Sequence, residues 1–270
     1  MYASGENQVP YPAAKRVEAS APSERYLVPT GEYDAWLFDL DGVVTDTASV
    51  HAAAWKRTFD RYLREVAERD GRTFEPFEID PDYYRYVDGK PRYDGVDSFL
   101  RSRGMVLRWG DPGDPPESET VCGLGNRKNE AFNEVLRSRG VEVFASSVAL
   151  IRELKDRGGR VAVVTSSKNC EAVLEAAGLR DLFDARVDGN VAAEKGLAGK
   201  PAPDTFEEAA LLLGAAPGRA VVEDSVSGVR AGRAGGFGLV VGVVRGDDPE
   251  VLRQCGADVV VYDLVQVSLV

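Results

Sequence analysis

The sequence predicts an α/β fold, a doubly wound parallel sheet whose chain is interrupted by a mostly helical block. Three observations support this prediction. The apolar run Ala35–Phe38 has the composition of a strand that is buried on both faces. From residue 144 onward, short apolar segments alternate with helical patterns, as in parallel sheets. Between these parts, about a hundred residues show helical rather than strand periodicity.

The first strand ends in two acidic residues. Asp39 and Asp41 directly follow it, and Gly42 then allows the chain to turn. Ligands of open α/β sheets bind beyond the carboxyl ends of the strands, so we expect both carboxylates at a binding site. Such oxygen ligands suit a hard cation such as Mg²⁺. A strand that ends in a simple Asx turn would explain the same residues, and this stretch alone does not decide.

The helical block is predicted to begin with a long amphipathic helix. Its apolar residues recur every three or four positions over 50–66, and glycine and proline end the pattern by residue 76. Further helices are expected around 95–100 and 127–139. The segment 110–120 is too rich in proline, glycine and acidic residues for regular structure, so we expect a loop there.

These patterns predict three parts of the chain. Residues 1–32 contain four prolines and no sustained periodicity, which indicates an extended arm. We predict that 33–47 and 144–270 form the core domain, and that 48–143 form a helical cap domain inserted into it.

The second part of the chain alternates between helices and strands. Helices are expected over 149–157, 169–177, 204–213, 227–234 and 249–255, and strands over 161–165, 220–224, 239–242 and 258–261. Strands that are separated by helices in this way predict a parallel sheet with helices on both faces.

Composition and charge argue against several classes of function. The 270 residues are 44% hydrophobic and 29% charged, which is ordinary for a globular protein with a core. The net charge of -11 argues against nucleic acid, and no apolar run approaches the roughly 20 residues that span a membrane. No signal-peptide pattern is visible, and the three widely separated cysteines favour reduced thiols. We expect a cytoplasmic monomer without nucleic-acid or membrane partners.

Three predicted strands lead into residues that suit phosphoryl transfer. The first ends in the acidic pair described above, and a later one ends in Glu223 and Asp224. The strand 161–165 runs into a hydroxyl-rich segment that opens a helix, where free backbone N–H groups favour an anion. Lys200 lies in the loop before the third strand. Each feature alone would suit a helix cap, a loop lysine or a turn, but together they can bind a cation and a phosphate.

The segment Asp39-Leu-Asp-Gly-Val-Val-Thr-Asp-Thr47 resembles the first motif of the haloacid dehalogenase (HAD) superfamily of phosphohydrolases and phosphomutases. Thr165, Lys200 and the pair Glu223 and Asp224 resemble the three remaining motifs, in order. The resemblance implies a Rossmann-like HAD core with an inserted, mostly α-helical cap.

The resemblance also implies roles for these residues. Asp39 matches the nucleophile that forms an aspartyl-phosphate, and Asp41 matches the general acid/base. Thr165 and Lys200 match the residues that bind the transferring phosphoryl group. The implied Mg²⁺ ligands are Asp39, Asp41 through its backbone carbonyl, Glu223 and Asp224.

Further residues resemble the β-phosphoglucomutase branch of the superfamily. Thr47 and His51 match residues that position the acid/base residue and couple it to cap closure. A lone helix histidine is more often structural, but the position of His51 ten residues after Asp41 favours this role. The residues that match contacts to phosphate or substrate are Gly89, Lys90, Arg92, Lys128, Thr165, Ser166, Ser167, Lys168, Asn169 and Lys200.

The resemblance implies a Mg²⁺-dependent mutase for a small-molecule sugar phosphate. It would interconvert β-D-glucose 1-phosphate and glucose 6-phosphate through an aspartyl-phosphate and a bound bisphosphate. A sugar-phosphate phosphatase of the same fold is the alternative. A docking module is disfavoured because every catalytic carboxylate is present, and phosphonate cleavage because that branch lacks a counterpart of Asp41. The arm and the loop 105–122 have no counterpart in minimal family members, and the stretch 188–199 is longer and differently composed than usual. Because the loop 105–122 lies in the predicted cap, the identity of the sugar stays open.

Overall fold

A computed structural model describes residues 25–87, 90, 92–215, 219–245 and 248–270 of the chain. The strands are β1 (Tyr26–Val28), β2 (Ala35–Phe38), β3 (Thr45–Asp46), β4 (Glu142–Val143), β5 (Arg160–Val164), β6 (Ala185–Val187), β7 (Arg219–Glu223), β8 (Leu239–Val243), β9 (Val259–Val261) and β10 (Val267–Leu269). The helices are α1 (Ala48–Asp70), α2 (Arg92–Ser102), α3 (Val121–Arg139), α4 (Ala145–Asp156), α5 (Cys170–Ala176), α6 (Gly189–Lys195), α7 (Asp204–Leu212), α8 (Val226–Ala234) and α9 (Pro249–Cys255). Short helical segments occupy Thr30–Glu32, Ile79–Val87 and Leu264–Gln266.

Six parallel strands form the central sheet, in the order β6-β5-β2-β7-β8-β9. Strand β2 lies inside the sheet and is fully buried, as its apolar composition predicts. Because side chains alternate along a strand, Trp36 and Phe38 enter one apolar cluster while Ala35 and Leu37 enter the cluster on the opposite face. Helices cover both faces, which confirms the predicted doubly wound fold class.

The helical block packs around its own aromatic cluster. Phe59 of α1 lies 4.2 Å from Phe99 of α2 and 5.1 Å from Trp55, measured between ring centroids. Phe77, in the irregular segment between these helices, lies 4.9 Å from Phe99. This third apolar cluster is separate from the two that flank the sheet. The bounds of the cap and core domains stay a prediction.

The two linkers that join the helical block to the sheet are paired with each other. Strand β3 precedes α1 and β4 follows α3, and the two run antiparallel with Thr45 opposite Val143 and Asp46 opposite Glu142. Ser147 at the start of α4 reinforces this junction, because its hydroxyl donates to the carbonyl oxygen of Val43 at 2.6 Å.

Helix α3 begins six residues before the predicted start at residue 127. Thr120 caps it, since its hydroxyl oxygen accepts from the N–H of Gly123 at 2.9 Å. Two glycines in the first two turns, Gly123 and Gly125, obscured this start. The glycine at position 125 is explained by packing. A β-carbon at Gly125 would lie 2.6 Å from Cδ1 of Tyr93, so glycine lets the two helices approach closely.

Some short elements carried no clear signal in the sequence. Strand β1 pairs in parallel with β10, so the described end of the predicted arm, 25–32, contains a strand, while residues 1–24 lie outside the described residues. Strand β6 is a three-residue edge strand, and α6 lies in the stretch 188–199. Asp188 caps α6, because its carboxylate oxygen accepts hydrogen bonds from the backbone N–H groups of Asn190 and Val191. In the described part of the chain, no helix has the length and apolarity needed to span a membrane.

Candidate active site

The sheet order brings three of the predicted motif residues together. Strand β2 lies between β5 and β7, so Asp39, Thr165 and Glu223 emerge from neighbouring carboxyl ends. The Asp39 N–H donates to the carbonyl oxygen of Val222 at 2.9 Å, which continues the ladder past the strand. Their backbone positions are therefore set by the rigid centre of the sheet.

Lys200 links two of these strand ends. Its Nζ lies 2.5 Å from Oδ1 of Asp39 and 2.5 Å from Oε1 of Glu223, and it also donates to the carbonyl oxygen of Val164 at 3.2 Å. Burial alone would lower the pKa of Lys200, but the two carboxylates outweigh burial and raise that pKa. The lysine is therefore a fixed positive charge at the bottom of the site.

Negative charge exceeds positive charge at this place. Burial, together with the charges of Glu223 and Asp41, raises the pKa of Asp39 well above its usual value, although Lys200 opposes the shift. Burial, then Glu223 and Asp39, does the same to the pKa of Asp224. One lysine among these carboxylates leaves a deficit of positive charge, which favours an additional cation.

Glu223 has little freedom to bind that cation. One of its oxygens is held by Lys200, and the other accepts from the N–H groups of Asp224 and Ser225 at 2.9 Å and from the Ser225 hydroxyl at 3.0 Å. Its side chain is fully buried. In this arrangement Glu223 orients Lys200 and the loop after β7, and its predicted role as a metal ligand stays a prediction.

Asp224 is better placed than Glu223 to bind a cation. Gly42, with a φ of +89°, lies so close that a β-carbon would stand 2.0 Å from Oδ2 of Asp224. Glycine is therefore required for the carboxylate to lie against the turn that carries Asp41. No described residue donates a hydrogen bond to the Asp224 carboxylate.

The donor chemistry fits Mg²⁺, which prefers carboxylate and carbonyl oxygens. Asp39, Asp224 and the Asp41 carbonyl are the residues that would hold it. Within the described ranges, no three His, Cys, Asp or Glu side chains form a metal-binding cluster by themselves. Substrate oxygens and water would therefore have to complete the coordination shell, as Mg²⁺ commonly requires.

Asp41 is held by hydroxyl groups from both parts of the chain. The hydroxyl of Thr47, just before α1, donates to Oδ1 of Asp41 in a very short contact, and the hydroxyl of Thr165 donates to Oδ2 at 3.0 Å. The predicted acid/base residue thus lies between the linker to the helical block and the end of β5. Any motion of the linker would change its alignment.

His51 and Lys128 form a pair within the helical block. Lys128 Nζ lies 2.7 Å from Nδ1 of His51. A charged lysine can only donate, so while Lys128 is protonated Nδ1 is the acceptor and the ring proton is on Nε2. Burial, followed by the charges of Lys128 and Arg92, lowers the pKa of His51 well below its usual value. The imidazole is therefore neutral at physiological pH and serves to orient the lysine.

Lys128 is a buried cation without a carboxylate partner among the described residues. Its ammonium lies 5.0 Å from the ring centroid of Phe132 and 5.2 Å from that of Trp55. Burial, then the charge of Arg92, lowers the pKa of Lys128 to about 7, while Asp41 opposes the shift. A cation that is held at this cost is typical of a site that receives an anion.

The remaining residues that were predicted to contact phosphate or substrate differ in how far they are buried. Ser167 and Asn169 are partly buried beside Thr165, whereas Ser166 and Lys168 are exposed. Lys90 is exposed and donates to Ser98 at 2.6 Å. Gly89 lies outside the described residues.

Two residues at this site were not predicted from the sequence. Asn129 joins Arg92 to Asn169, as described below. Arg245 donates through Nε to the carbonyl oxygen of Gly42 at 2.6 Å, and its guanidinium carbon lies 3.8 Å from the centroid of the Phe144 ring. It therefore holds the turn of the first motif and contacts the residue that follows β4.

Lys128 gives a pH dependence that can be tested. Since its pKa is lowered from 10.5 to about 7, the unfolded chain binds more protons than the folded protein between these values. Burial of the charged Lys128 destabilises the folded protein fully below about pH 7, and this destabilisation disappears as the pH rises from about 7 to 10.5. We expect the stability of the wild type, relative to that of Lys128→Met, to rise from pH 7 to 9.5 in urea unfolding. Parallel curves for the two proteins would contradict the buried, charged lysine.

A parallel sheet that collects an acidic pair, a hydroxyl and a lysine at its strand ends, below an inserted helical block, defines a class of phosphoryl-transfer enzymes. A family model for haloacid dehalogenase-like hydrolases matches residues 33–236, and the chain belongs to this family.

Relatives indicate the branch within the family. A protein named beta-phosphoglucomutase from Mycobacterium bovis is 52% identical over 236 residues, which cover 86% of this chain and 90% of that protein. One of the same name from Bacillus subtilis is 30% identical over 87% of this chain and 92% of its own length. The solved beta-phosphoglucomutase of Clostridium difficile is 26% identical, has a TM-score of 0.64, and matches over 87% of this chain and 92% of its own. The predicted resemblance to β-phosphoglucomutases, and the prediction of a phosphoglucomutase-type enzyme, are confirmed.

Proposed function

We propose that this protein is a Mg²⁺-dependent phosphosugar mutase that interconverts β-D-glucose 1-phosphate and glucose 6-phosphate. The observation that carries the proposal is the pairing of two charge patterns. Asp39 and Asp41 lie at the strand ends, and Lys128 in the helical block is close enough to both Asp41 and Arg92 for their charges to act on its pKa. Neither cation has a carboxylate ion-pair partner among the described residues. A substrate with one phosphate at the acids and a second anionic group at the cations would satisfy both.

The acids supply the chemistry in this proposal. With the bisphosphate bound, a carboxylate oxygen of Asp39 attacks the phosphorus of the phosphate beside the acids, the bond from that phosphorus to the sugar oxygen breaks, and protonated Asp41 gives its proton to that oxygen. The products are the aspartyl-phosphate and a sugar monophosphate. In the return step, β-D-glucose 1-phosphate binds to the phosphoenzyme, Asp41 takes the proton of its 6-hydroxyl, and that oxygen attacks the phosphorus and releases Asp39. The product of this step is the bisphosphate. Lys200 and the hydroxyl of Thr165 stabilise the transferring phosphoryl group. Mg²⁺, when bound, would neutralise charge on the phosphoryl oxygens.

A mutase must protect its aspartyl-phosphate from water until a sugar monophosphate binds; while the bisphosphate turns around, both phosphates are on the sugar and Asp39 is free. Asp41 is suited to this gating, because its two oxygens are held by Thr47 and Thr165, which belong to the linker and to the sheet. Its alignment would depend on the position of the helical block, so that sugar phosphate rather than water completes the site.

The deciding experiment is to incubate the purified protein with Mg²⁺, β-D-glucose 1-phosphate and a trace of β-D-glucose 1,6-bisphosphate. The proposal requires glucose 6-phosphate as the main product and a faster rate when bisphosphate is added. Inorganic phosphate as the main product would favour the phosphatase instead. The relatives support a small-molecule substrate. A monomeric state, the absence of nucleic-acid and membrane partners and a cytoplasmic location stay predictions.

Chelation is expected to abolish turnover. Without a cation, Asp39, Asp224 and Glu223 place negative charge where a phosphate must bind. Mg²⁺ should also raise the melting temperature by binding the folded state, and Asp224→Asn should remove that shift. Sodium chloride at equal ionic strength is the control. Full activity in excess chelator, or an equal Mg²⁺ shift in Asp224→Asn, would contradict the assignment.

A further inference from the structure

One amide oxygen joins the helical block to the sheet beside the candidate active site. Asn129, in the middle of α3, accepts through Oδ1 from Nη2 of Arg92 at 2.9 Å and from Nδ2 of Asn169 at 2.9 Å. Arg92 opens α2, and Asn169 directly precedes α5 on the sheet side. A guanidinium can only donate, so the atom that faces Arg92 must be the amide oxygen.

The amide oxygen of Asn129 is a neutral acceptor, which binds a charged guanidinium more weakly than an anion would. The guanidinium of Arg92 is partly buried, and no carboxylate of the described residues lies within ion-pair distance of it. Burial lowers the pKa of Arg92, which means that its surroundings do not compensate its charge. Hydrogen bonds between an arginine and an anion are roughly twice as strong as those to a neutral acceptor.

The neighbouring position on α3 adds to this charge. Lys128 precedes Asn129 and is the second buried cation of the block, and Arg92 contributes to its lowered pKa. The two cations and the Asn169 amide come from three different elements. Among the described residues, the acceptor that Arg92 and Asn169 share is the neutral Asn129 amide oxygen.

We propose that Asn129 is a positioning residue that holds Arg92 and Asn169 in register for the non-reacting anionic group of the substrate. Its amide oxygen stands between two donors that a phosphate oxygen would bind more strongly. The arriving phosphate takes over these donors and, because they belong to the helical block and to the sheet, draws the two together. The inference rests on the proposed function for the class of substrate, a doubly anionic sugar phosphate.

The proposal predicts losses of bisphosphate affinity of different size for two substitutions of Asn129. Asn129→Ala removes the acceptor, so the donors lose their register and bisphosphate binding should weaken by about tenfold. Asn129→Asp puts a carboxylate in the same place, where it forms an ion pair with Arg92 and competes with the phosphate. This variant should weaken binding by a further factor of about ten.

Binding can be measured without turnover by titrating β-D-glucose 1,6-bisphosphate calorimetrically into proteins that also carry Asp39→Asn. Asn133→Ala, one turn further along the same helix, is the matched control and should bind within twofold of its parent. Hydrolysis of p-nitrophenyl phosphate, which has no second anionic group, should change little in either Asn129 variant with Asp39 intact. Circular dichroism and thermal melting check that each variant is folded.

The affinities must decrease in the order Asn133→Ala, Asn129→Ala, Asn129→Asp. Any other order, or no bisphosphate binding by the parent, would overturn the inference. Because no catalysis is involved, this result is independent of whether the active enzyme releases glucose 6-phosphate or inorganic phosphate. A failed mutase assay with the predicted order of affinities would refute the proposed reaction and leave the role of Asn129 in place.

Discussion

Replacement of Asp39 by asparagine is expected to reduce turnover by about 10⁴-fold or more, the scale seen when a covalent nucleophile is removed. The same substitution should not destabilise the fold. Burial and two neighbouring acids raise the pKa of Asp39, so the folded protein holds this carboxylate ionised at a cost that increases as the pH rises above the usual aspartate value. A neutral amide of the same shape removes that cost, and the melting temperature at pH 7 should equal or exceed that of the wild type.

The matched control is Asp34→Asn, at the beginning of the same segment of chain. Asp34 is partly exposed and pairs with Arg160 at 2.6 Å, far from the carboxyl ends of the strands. This variant should keep the wild-type rate. If Asp39→Asn retained a hundredth of the wild-type rate, or melted well below the wild type, the assignment of Asp39 as a buried nucleophile would be wrong.

Removal of the Lys200 charge is expected to cause the largest loss of stability. Lys200→Met leaves Asp39 and Glu223 buried without the ammonium that lies 2.5 Å from each. Breaking a buried ion pair by removing one partner typically costs about 3–5 kcal/mol, because the remaining charge has lost its compensation. Activity should be lost as well, since the lysine stabilises the phosphoryl group in the proposed mechanism.

Two further variants test this explanation by urea unfolding. Adding Glu223→Gln to Lys200→Met removes one stranded charge and should restore part of the stability but no activity. Lys195→Met breaks a half-exposed pair with Glu208 and should change the free energy of unfolding by less than about 1 kcal/mol. If Lys200→Met behaved like Lys195→Met, Lys200 would not be the residue that balances the acids.

The residues at the strand ends could be predicted because parallel topology fixes their positions. Once Asp39, Thr165 and Glu223 were placed after buried strands, the rule that ligands bind at the carboxyl edge brought them together. The roles implied by the family resemblance then depended on only a few motif positions.

Asn129 and Arg245 could not be predicted in the same way. Asn129 meets partners that lie 37 and 40 positions away, and Arg245 meets Gly42 across 203 positions. Such contacts depend on how the helical block is docked, which no local periodicity encodes. Strand β6 was missed for a different reason, since three residues at a sheet edge are too few to show an alternating pattern.

The pairing of β3 with β4 restricts how the helical block can move. Two separate tethers would allow it to swing, twist and slide, but linkers that are hydrogen-bonded to each other lose most of the independent twist. We expect the remaining motion of the block to be close to a rotation about one axis, so that opening and closing would follow nearly the same arc. Arg92 then explores a narrow strip of space rather than a volume, which raises its effective concentration at the mouth of the site. Closing of the helical block onto the sheet would therefore cost little orientational entropy.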